Sequence, residues 1–539
     1  MKRLLFGIFC VLFCGVAQSA QIVNVEYIHK LIEQEHGITV PYNTDLHDPT
    51  VAANMKYLLT TIDVANQMLS GESITDYGNS EYATTVATDT VATLEMVRDH
   101  VRNYKFFATT TPDTTSFSFT ISASGVFHID WGDGTRESYR KTNTTATKYS
   151  HEYADAGEYV IKIGGYRTGG NSLSFQNNKN LAKIDGSVGA IFSTIKNKNG
   201  TVSNPNFQGL FNGCTNLSGT IPQELFTGVY GTPVNYMFTS TFKNCSGLTG
   251  SIPEKLFSNI SGAPAHAMFT ETFNNCSGLN GSIPEKLFAG ISGKPIQQMF
   301  QNTFSGCRGL TGSIPENLFV NISGAPAYMM FYNTFSGCSG LTGDIPDKLF
   351  AGIYGQPNDN MYASTFSGCS GLTGNIPNKL FGDIYGKPAS SMFHNTFMGC
   401  SGLSGSIPAD LFGNLTGAPA YAMFHFTFSG CTGLTGEIPA GLFGTLSGNP
   451  ASYMFAGTFL NCKGLTGGIP DNLFGNLTNN FASYQFYRTF EGCTGLNGES
   501  AKMNSEYLYN IWPDATCAGS MYRGCTGLTD YADIPSNWK

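Results

Sequence analysis

Charged side chains are scarce in this sequence of 539 residues. Asp, Glu, Lys and Arg together make up 13% of the chain, against about 25% in an average soluble domain. The formal net charge is −8, and the 30 basic residues form no stripe. Proteins that bind nucleic acid carry such a stripe, because contacts with phosphate supply much of their affinity. Nucleic acid is therefore excluded from the expected partners.

Known catalytic and metal-binding patterns are also missing. The chain contains no HExxH, no Walker loop, no GxSxG elbow and no GxGxxG after a predicted strand. No pair of cysteines has CxxC spacing, and histidines do not recur with the main period of the sequence. We therefore expect no enzyme, no cofactor and no metal site.

Only one long apolar run is present, and it lies at the N-terminus. Residues 1–20 read MKRLLFGIFCVLFCGVAQSA, with Lys2 and Arg3 before an apolar segment and small residues at its end. This order is typical of a secretory signal peptide. Phe13 makes a poor lipidation motif before Cys14. We predict a secreted or cell-surface protein, with a periplasmic location as the alternative, and no membrane span in the mature chain.

The sequence is dominated by a repeat of 31 residues. FSGCSGLTG occurs at 335–343 and again at 366–374, and one cysteine recurs at a constant step. Proline positions such as Pro315 and Pro326 keep the same step, without insertion or deletion. A constant step indicates that each unit stacks on the next one. The cysteines at this step are Cys214, Cys245, Cys276, Cys307, Cys338, Cys369, Cys400, Cys431, Cys462 and Cys493.

One unit predicts a short helix followed by a short strand. After Pro295, which suits the first position of a helix, apolar residues follow at i, i+4 and i+8 spacing. Gly306 occupies a site that is always Gly or Asn, as at a left-handed helix end. An extended segment leads from Cys307 to Pro315, and a further helical turn follows at 315–319. The fold class predicted is an α/β solenoid with a parallel strand and a helix in each unit.

The repeated cysteines have three possible roles, which are disulfides, metal ligation and core packing. Equivalent residues on adjacent coils would lie about 4.8 Å apart, a separation that permits a disulfide. Their side chains would run parallel into the interior, which is a poor geometry for bonding. We therefore interpret Cys as a small apolar side chain that fills a tight interior position.

Regions of different character flank the repeats. Residues 21–107 show helical spacing, and residues 108–165 alternate apolar and polar residues between glycine turns, which predicts a small β-sandwich. Residues 166–210 lack the repeated positions and predict an N-terminal cap for the stack. The array itself covers 211–510, and 511–539 predict a C-terminal cap.

Two aspartates in the β-rich region have alternative interpretations. Asp130 directly precedes the sequence WGDG at 131–134, and Asp133 lies within it. Such carboxylates could bind calcium. More often, an Asp at this position caps the turn by accepting hydrogen bonds from nearby backbone N–H groups. We favour the cap.

The motifs resemble known families. FxxCxxLTGxIPxxLF is similar to leucine-rich repeats, and FSGCSGL resembles the repeats of BspA-like bacterial surface proteins. WGDG at 131–134, together with His151, Tyr153, Gly157 and Tyr159, resembles a polycystic-kidney-disease-type (PKD) domain. The resemblance implies a solenoid of leucine-rich-repeat type in a cell-surface or secreted binding protein, often an adhesin, and it implies no catalytic residues.

Two functions compete at the sequence level. The first is a non-catalytic binding protein that contacts a host or neighbouring-cell protein or a glycan, and the alternative is a structural spacer or self-assembling protein. Two consecutive sites of the predicted helix vary between units and collect aromatic and histidine residues, which are common binding anchors. Variation without function, with Phe426 in the core, would give the same pattern. The candidate ligand-binding residues are Tyr332, His394, His425, Phe426 and Tyr487.

Overall fold

The computed structural model describes residues 104–196, 200–478, 480–513 and 515–539. The predicted signal peptide at 1–20 lies outside the described residues, as does the predicted helical region 21–107 up to residue 103. Residues 104–107 begin a strand, so for these four residues the helical prediction is wrong. Within the described part of the chain, no helix has the length and apolar character that a membrane span requires.

Six antiparallel strands at the start of this region form one sheet, in the order β3-β2-β5-β1-β6, with β4 also paired to β2. The long β2 is shared, because its first half pairs with β4 and its second half with β3. The strands are β1 (Tyr104–Thr110), β2 (Thr114–Asp130), β3 (Arg136–Lys141), β4 (Thr147–Gly157), β5 (Val160–Ser174) and β6 (Leu181–Gly186).

The sheet does not end where the sequence predicted. We expected a β-sandwich over 108–165, but β5 continues to Ser174 and β6 adds a further edge strand. Both strands fall partly or wholly in the predicted cap, 166–210. The reason is that β1 pairs with β5 on one side and with β6 on the other, so the sheet is complete only with β6.

Residues 175–194, which include β6, join this sheet to the repeats. Phe175 N–H donates to Leu210 O at 2.7 Å, and Gly189 N–H donates to Leu225 O at 2.9 Å. A four-residue helix, α1 (Val188–Ile191), lies in this segment, and the Ser187 hydroxyl caps it. Short strands β7 (Ile195–Lys196) and β8 (Val202–Ser203) follow. The sheet and the repeats therefore share one continuous hydrophobic core.

Each repeat forms one coil of 31 residues, and adjacent coils are joined by backbone hydrogen bonds. One wall of every coil, here called the turn wall, consists of successive tight turns. In the coil after Pro295, alternate N–H groups donate to the next coil and the others donate three residues back. The donors to the next coil are Gln298, Phe300, Asn302, Phe304 and Gly306, at 2.7–3.1 Å.

The α/β solenoid of leucine-rich-repeat type is therefore wrong, because the described residues of the turn wall form no α-helix. An α-helix bonds each N–H four residues back, whereas this segment bonds three residues back or to the next coil. Every fourth residue has a left-handed backbone, as shown by the positive φ values of Gln298, Asn302 and Gly306. Two turns of this kind take eight residues and two helical turns about seven. The i, i+4, i+8 pattern fits both.

The other walls of the stack are extended and parallel. Single bridges such as Gly324 with Ile353 join most coils, and short strands form near the C-terminal end. These strands are β9 (Thr416–Gly417), β10 (Gly436–Glu437), β11 (Thr445–Gly448), β12 (Leu465–Thr466) and β13 (Asn476–Leu477). The last coil carries β14 (Lys502–Met503), β15 (Glu506–Tyr507), α2 (Leu508–Ile511) and 3₁₀ turns at Ala515–Cys517 and Ser536–Trp538.

Aromatic columns fill the interior of the stack. Phe300 and Phe331 on adjacent coils stack with ring centroids 5.7 Å apart and planes 6° apart. Phe319 packs against both rings from the opposite wall, at 4.5 and 4.9 Å. Parallel columns of this kind explain why Phe keeps the repeat step, since any smaller side chain would leave a cavity.

Thr and Cys form two further columns just inside the turn wall. Thr303 Oγ1 donates to Phe269 O at 3.0 Å, and Cys307 Sγ donates to Phe273 O at 2.9 Å. The described cysteines are buried and free, so the interpretation as core residues is confirmed. Cys suits the position because it is small and apolar yet still offers an S–H donor to a carbonyl group of the previous coil.

We expect Tyr362→Phe to stabilise the protein. Tyr362 continues a phenylalanine column, between Phe331 and Phe393, and its buried hydroxyl has no hydrogen-bond partner among the described residues. Removing an unsatisfied buried hydroxyl should raise the free energy of unfolding by about 1 kcal/mol. Urea unfolding followed by circular dichroism measures the change.

Tyr522→Phe is the matched control for this substitution. Tyr522 is equally buried, but its hydroxyl oxygen accepts a hydrogen bond from Ala501 N–H at 3.2 Å. Its loss should lower the free energy of unfolding by about 1 kcal/mol. A destabilised Tyr362→Phe variant would show that the Tyr362 hydroxyl is satisfied in solution.

Candidate functional site

The five candidate residues all lie on the outer side of the turn wall. Tyr332, His394, His425 and Tyr487 occupy the same position in four of the coils, and Phe426 occupies the next position. Each of the five is half-buried, so the alternative that places Phe426 in the core is wrong.

His394 and His425 form a direct pair between adjacent coils. Their Nδ1 atoms lie 3.1 Å apart, and their ring centroids are 4.8 Å apart. Burial lowers the pKa of His394. Burial and the nearby His394 lower the pKa of His425 to about 4. The pair is therefore uncharged at neutral pH, with one imidazole donating to the other.

Phe426 packs over a glycine of the next coil. Its ring is 4.2 Å from that of His425. A Cβ atom at Gly457, the equivalent residue of the next coil, would lie 2.2 Å from the Phe426 ring. Phe426 thus covers the space that a side chain at Gly457 would fill.

Three tyrosines extend this cluster over the following coils. Tyr453 lies 5.6 Å from His425 and stacks on Tyr484 at 5.1 Å, and Tyr484 meets Tyr487 edge to face at 5.4 Å. Tyr421 packs on Tyr453 at 6.0 Å. We call the connected set the aromatic strip; its members are His394, Tyr421, His425, Phe426, Tyr453, Tyr484 and Tyr487.

Sequence reasoning missed Tyr421, Tyr453 and Tyr484. It compared only two consecutive sites, because on a helix these would be the exposed ones. On the turn wall, the side chains three and four residues earlier lie on the same surface. The signal was present, since Tyr453 and Tyr484 keep the 31-residue step.

Tyr332 does not belong to the strip. It lies two coils before His394, and the intervening position is Ala363, which is fully buried. Among the described residues, Tyr332 has no ring contact with another member of the predicted set. The structure therefore brings together four of the five predicted residues.

The strip ends in charged residues at its C-terminal side. The Arg488 guanidinium lies over the Tyr487 ring at 5.9 Å, and Arg488 and Arg523 both pair with Glu491. The opposite end of the same wall carries charged residues, with Glu271 bonded to Ser240 and Lys243 at 2.9 and 2.7 Å, and a separate ring pair, Tyr236 with His266. The connected rings of the strip thus lie on four consecutive coils.

The aspartates of the WGDG turn act as caps. Asp130 Oδ1 accepts from Gly132 N–H at 3.0 Å, and Asp133 Oδ1 accepts from Thr135 N–H at 2.9 Å. The remaining oxygens bond side chains of the protein, since Asp130 Oδ2 accepts from Arg136 Nε at 3.0 Å and Asp133 Oδ2 lies 2.7 Å from His151 Nε2. These contacts support the cap and leave neither carboxylate free for calcium.

The buried thiols are chemically inert. Burial raises the pKa of Cys307 to about 12, so the nucleophilic thiolate is absent at neutral pH. Within the described ranges, no three His, Cys, Asp or Glu side chains converge in a way that could hold a metal ion. The exposed aromatic strip is therefore the feature of the repeats with the strongest chemical character.

Comparisons of the chain with protein-family models, with curated proteins and with solved structures give no match.

Proposed function

We propose that this chain is a secreted or cell-surface binding protein without catalytic activity, and that its aromatic strip contacts a protein or glycan ligand. The observation that carries the proposal is the exposure of rings that already pack on one another. Tyr421 and Tyr484 are 54% and 41% exposed, although both contact Tyr453.

Such rings favour binding for two physical reasons. Their positions are fixed by neighbouring rings, so little side-chain entropy remains to be lost on contact with a ligand. Each ring also combines an apolar face with a polar edge, which suits interfaces. A row of this kind fits an extended ligand that lies along the stack.

Confinement of the strip argues against the alternative of a pure spacer. A spacer needs every coil to be equivalent, whereas the seven connected rings of the strip lie on four coils, and the opposite end of the wall carries Glu271, Lys243 and the separate ring pair Tyr236–His266. The apolar segment at 1–20 supports export, which would bring the strip to ligands outside the cell.

The test compares two double variants of the full chain. Tyr421→Ala/Tyr484→Ala removes the most exposed rings of the strip. Tyr354→Ala/Tyr385→Ala is the matched control, because these tyrosines are 51% and 53% exposed and also one step apart, but lie on an extended wall. Wild type is first screened against glycan and extracellular-protein arrays.

We expect the strip variant to bind the selected ligand at least about tenfold more weakly, as for two moderate anchors, while the control binds like wild type. Circular dichroism verifies that both variants remain folded. Unchanged affinity of the strip variant would contradict the proposal. If no array component binds wild type, the spacer becomes the better hypothesis.

A further inference from the structure

A second site lies far from the aromatic strip, where the six-stranded sheet meets the first coil. A cleft of about 720 Å³ opens between β2, β4 and residues 174–180. A smaller cleft of about 290 Å³ adjoins it, and the two share Ser122, Ser174, Gln176 and Gln208. Together they have the size of small-ligand pockets, which are typically about 300–1,000 Å³.

The floor of the larger cleft is held rigid by two asparagines. Asn178 Nδ2 donates to Ser118 O and Asn180 Nδ2 donates to Ser116 O, both at 2.8 Å. Asn178 Oδ1 in turn accepts from Asn180 N–H at 2.9 Å. These bonds tie the segment to β2, so the groups around it are positioned before any ligand arrives.

Two glutamines on the rim have free carboxamides. Gln176 and Gln208 are exposed, and within the described protein their side chains form no hydrogen bond. A carboxamide offers two N–H donors and one acceptor oxygen. This combination matches the hydroxyl groups of a sugar, each of which both donates and accepts.

The charge of the cleft is opposite to that of the chain. Lys148 and Lys179 line it and are exposed, and neither makes an ion pair with the described residues. The lining of both clefts contains no Asp or Glu among these residues, although the chain has a formal charge of −8. An anionic group is therefore the complementary ligand feature.

We propose that this cleft binds an acidic saccharide, in which Lys148 and Lys179 hold a carboxylate or sulfate and Gln176 and Gln208 hydrogen-bond the sugar hydroxyls. An anchored peptide fits less well, since peptide grooves present apolar pockets and the two phenylalanines of this lining, Phe119 and Phe175, are buried beneath it. A nucleotide would need an exposed aromatic ring for stacking.

Isothermal titration of the full chain tests the site with three probes. Tetragalacturonate carries carboxylates, and a carrageenan tetrasaccharide carries sulfates. The methyl ester of tetragalacturonate is the neutral match for the first. We expect at least one acidic probe to bind in a saturable manner, to weaken with added salt, and to bind at least about tenfold more tightly than the neutral ester.

Variants assign the binding to the cleft. Lys148→Gln/Lys179→Gln should weaken binding of the acidic probe about tenfold or more. Gln176→Ala/Gln208→Ala should also weaken this binding, by more than the control variant described next. The matched control is Lys183→Gln/Lys196→Gln, which removes the same charge from exposed lysines outside the cleft. All six side chains are exposed, so folding should be unaffected, and circular dichroism checks this.

Three results would overturn the site. They are equal affinity of Lys148→Gln/Lys179→Gln and wild type, equal affinity of the neutral ester and the acid, and the absence of binding by either acidic probe. The strip variant Tyr421→Ala/Tyr484→Ala should still bind the acidic saccharide as wild type does. The outcome is therefore separable from that of the proposed function.

Discussion

Gly340→Ala is expected to lower the free energy of unfolding by about 3 kcal/mol. The φ value of Gly340 is ordinary, so the cost does not come from the backbone of this residue. A Cβ atom at Gly340 would lie 2.5 Å from Arg308 O and 2.6 Å from Leu310 O of the previous coil. Backbone carbonyls cannot move aside, because neighbouring residues bond the coils together on both sides. The alanine must therefore separate two coils.

Gly337→Ala and Gly337→Asn are the matched comparisons. Gly337 has a left-handed backbone, with φ of +73°, but a Cβ atom there meets nothing nearer than 3.7 Å. Alanine should cost about 1 kcal/mol for the left-handed conformation. Asparagine should cost less, since Asn244 and Asn275 hold the equivalent position with positive φ.

Urea unfolding followed by circular dichroism ranks the three variants. The expected order of stability is Gly337→Asn above Gly337→Ala above Gly340→Ala. A Gly340→Ala variant as stable as wild type would show that adjacent coils can separate at this wall. A larger loss for Gly337→Ala would show that conformation, rather than contact, determines where glycine is required.

These two glycine positions show what the sequence alone predicts. Position 337 and its equivalents hold only Gly or Asn, and the left-handed backbone inferred from that restriction is present. Position 340 follows the same rule for another reason, which is contact with the previous coil. Asn216 is tolerated there because its coil is the first, and its Nδ2 donates to Lys179 O at 2.8 Å. The residue types found at one repeat position show that the position is restricted, but they do not show the physical cause of the restriction.

The helix predicted on the turn wall was wrong because the spacing of apolar residues does not show which carbonyl groups accept the backbone hydrogen bonds. Met299, Phe304 and Cys307 are buried, as the apolar pattern predicted. Cys307 N–H, however, donates three residues back, to Phe304 O, and Phe304 N–H donates thirty residues ahead, to Thr334 O. Only the second kind of bond distinguishes stacked turns from a helix, and it joins different units.

The same limit of local spacing explains why only part of the candidate site was predicted. The search for variable exposed positions found His394, His425, Phe426 and Tyr487, because exposure there follows from the inward direction of the neighbouring phenylalanines. Contacts such as that of Tyr453 with Tyr484 depend on the four-residue turn. The cleft of Lys148 and Lys179 joins β4 to residues beyond β5, a contact that only the sheet topology creates.

The His394–His425 pair should make the protein less stable in mild acid. Burial lowers the pKa of both histidines in the folded chain, that of His425 to about 4, from an ordinary value of about 6.5. As pH falls below about 6.5, the unfolded chain binds protons that the folded chain does not bind. Stability therefore falls as pH decreases from about 6.5 to about 4, and this contribution levels off below that range.

The loss should amount to about 1–2 kcal/mol between pH 7.5 and 4.5. Converting the pKa shifts in full, at about 1.4 kcal/mol per pKa unit, would give a larger loss of stability. Both rings are partly exposed, however, and solvent screens their charge. The measurement is urea unfolding at several pH values. His394→Gln/His425→Gln should lose less stability over this range than wild type does.

The comparison isolates the pair from the carboxylates of the chain. Asp133 and Glu491 have lowered pKa values, so the stability they contribute is lost only at lower pH, and it is lost equally in every variant. The rings that contact His425, those of Phe426 and Tyr453, supply no carboxylate to hold a second proton. Two imidazolium groups with nitrogen atoms 3.1 Å apart would repel each other. If wild type and the double variant lose equal stability, the histidines are separated in solution, and the aromatic strip is broken between its first two coils.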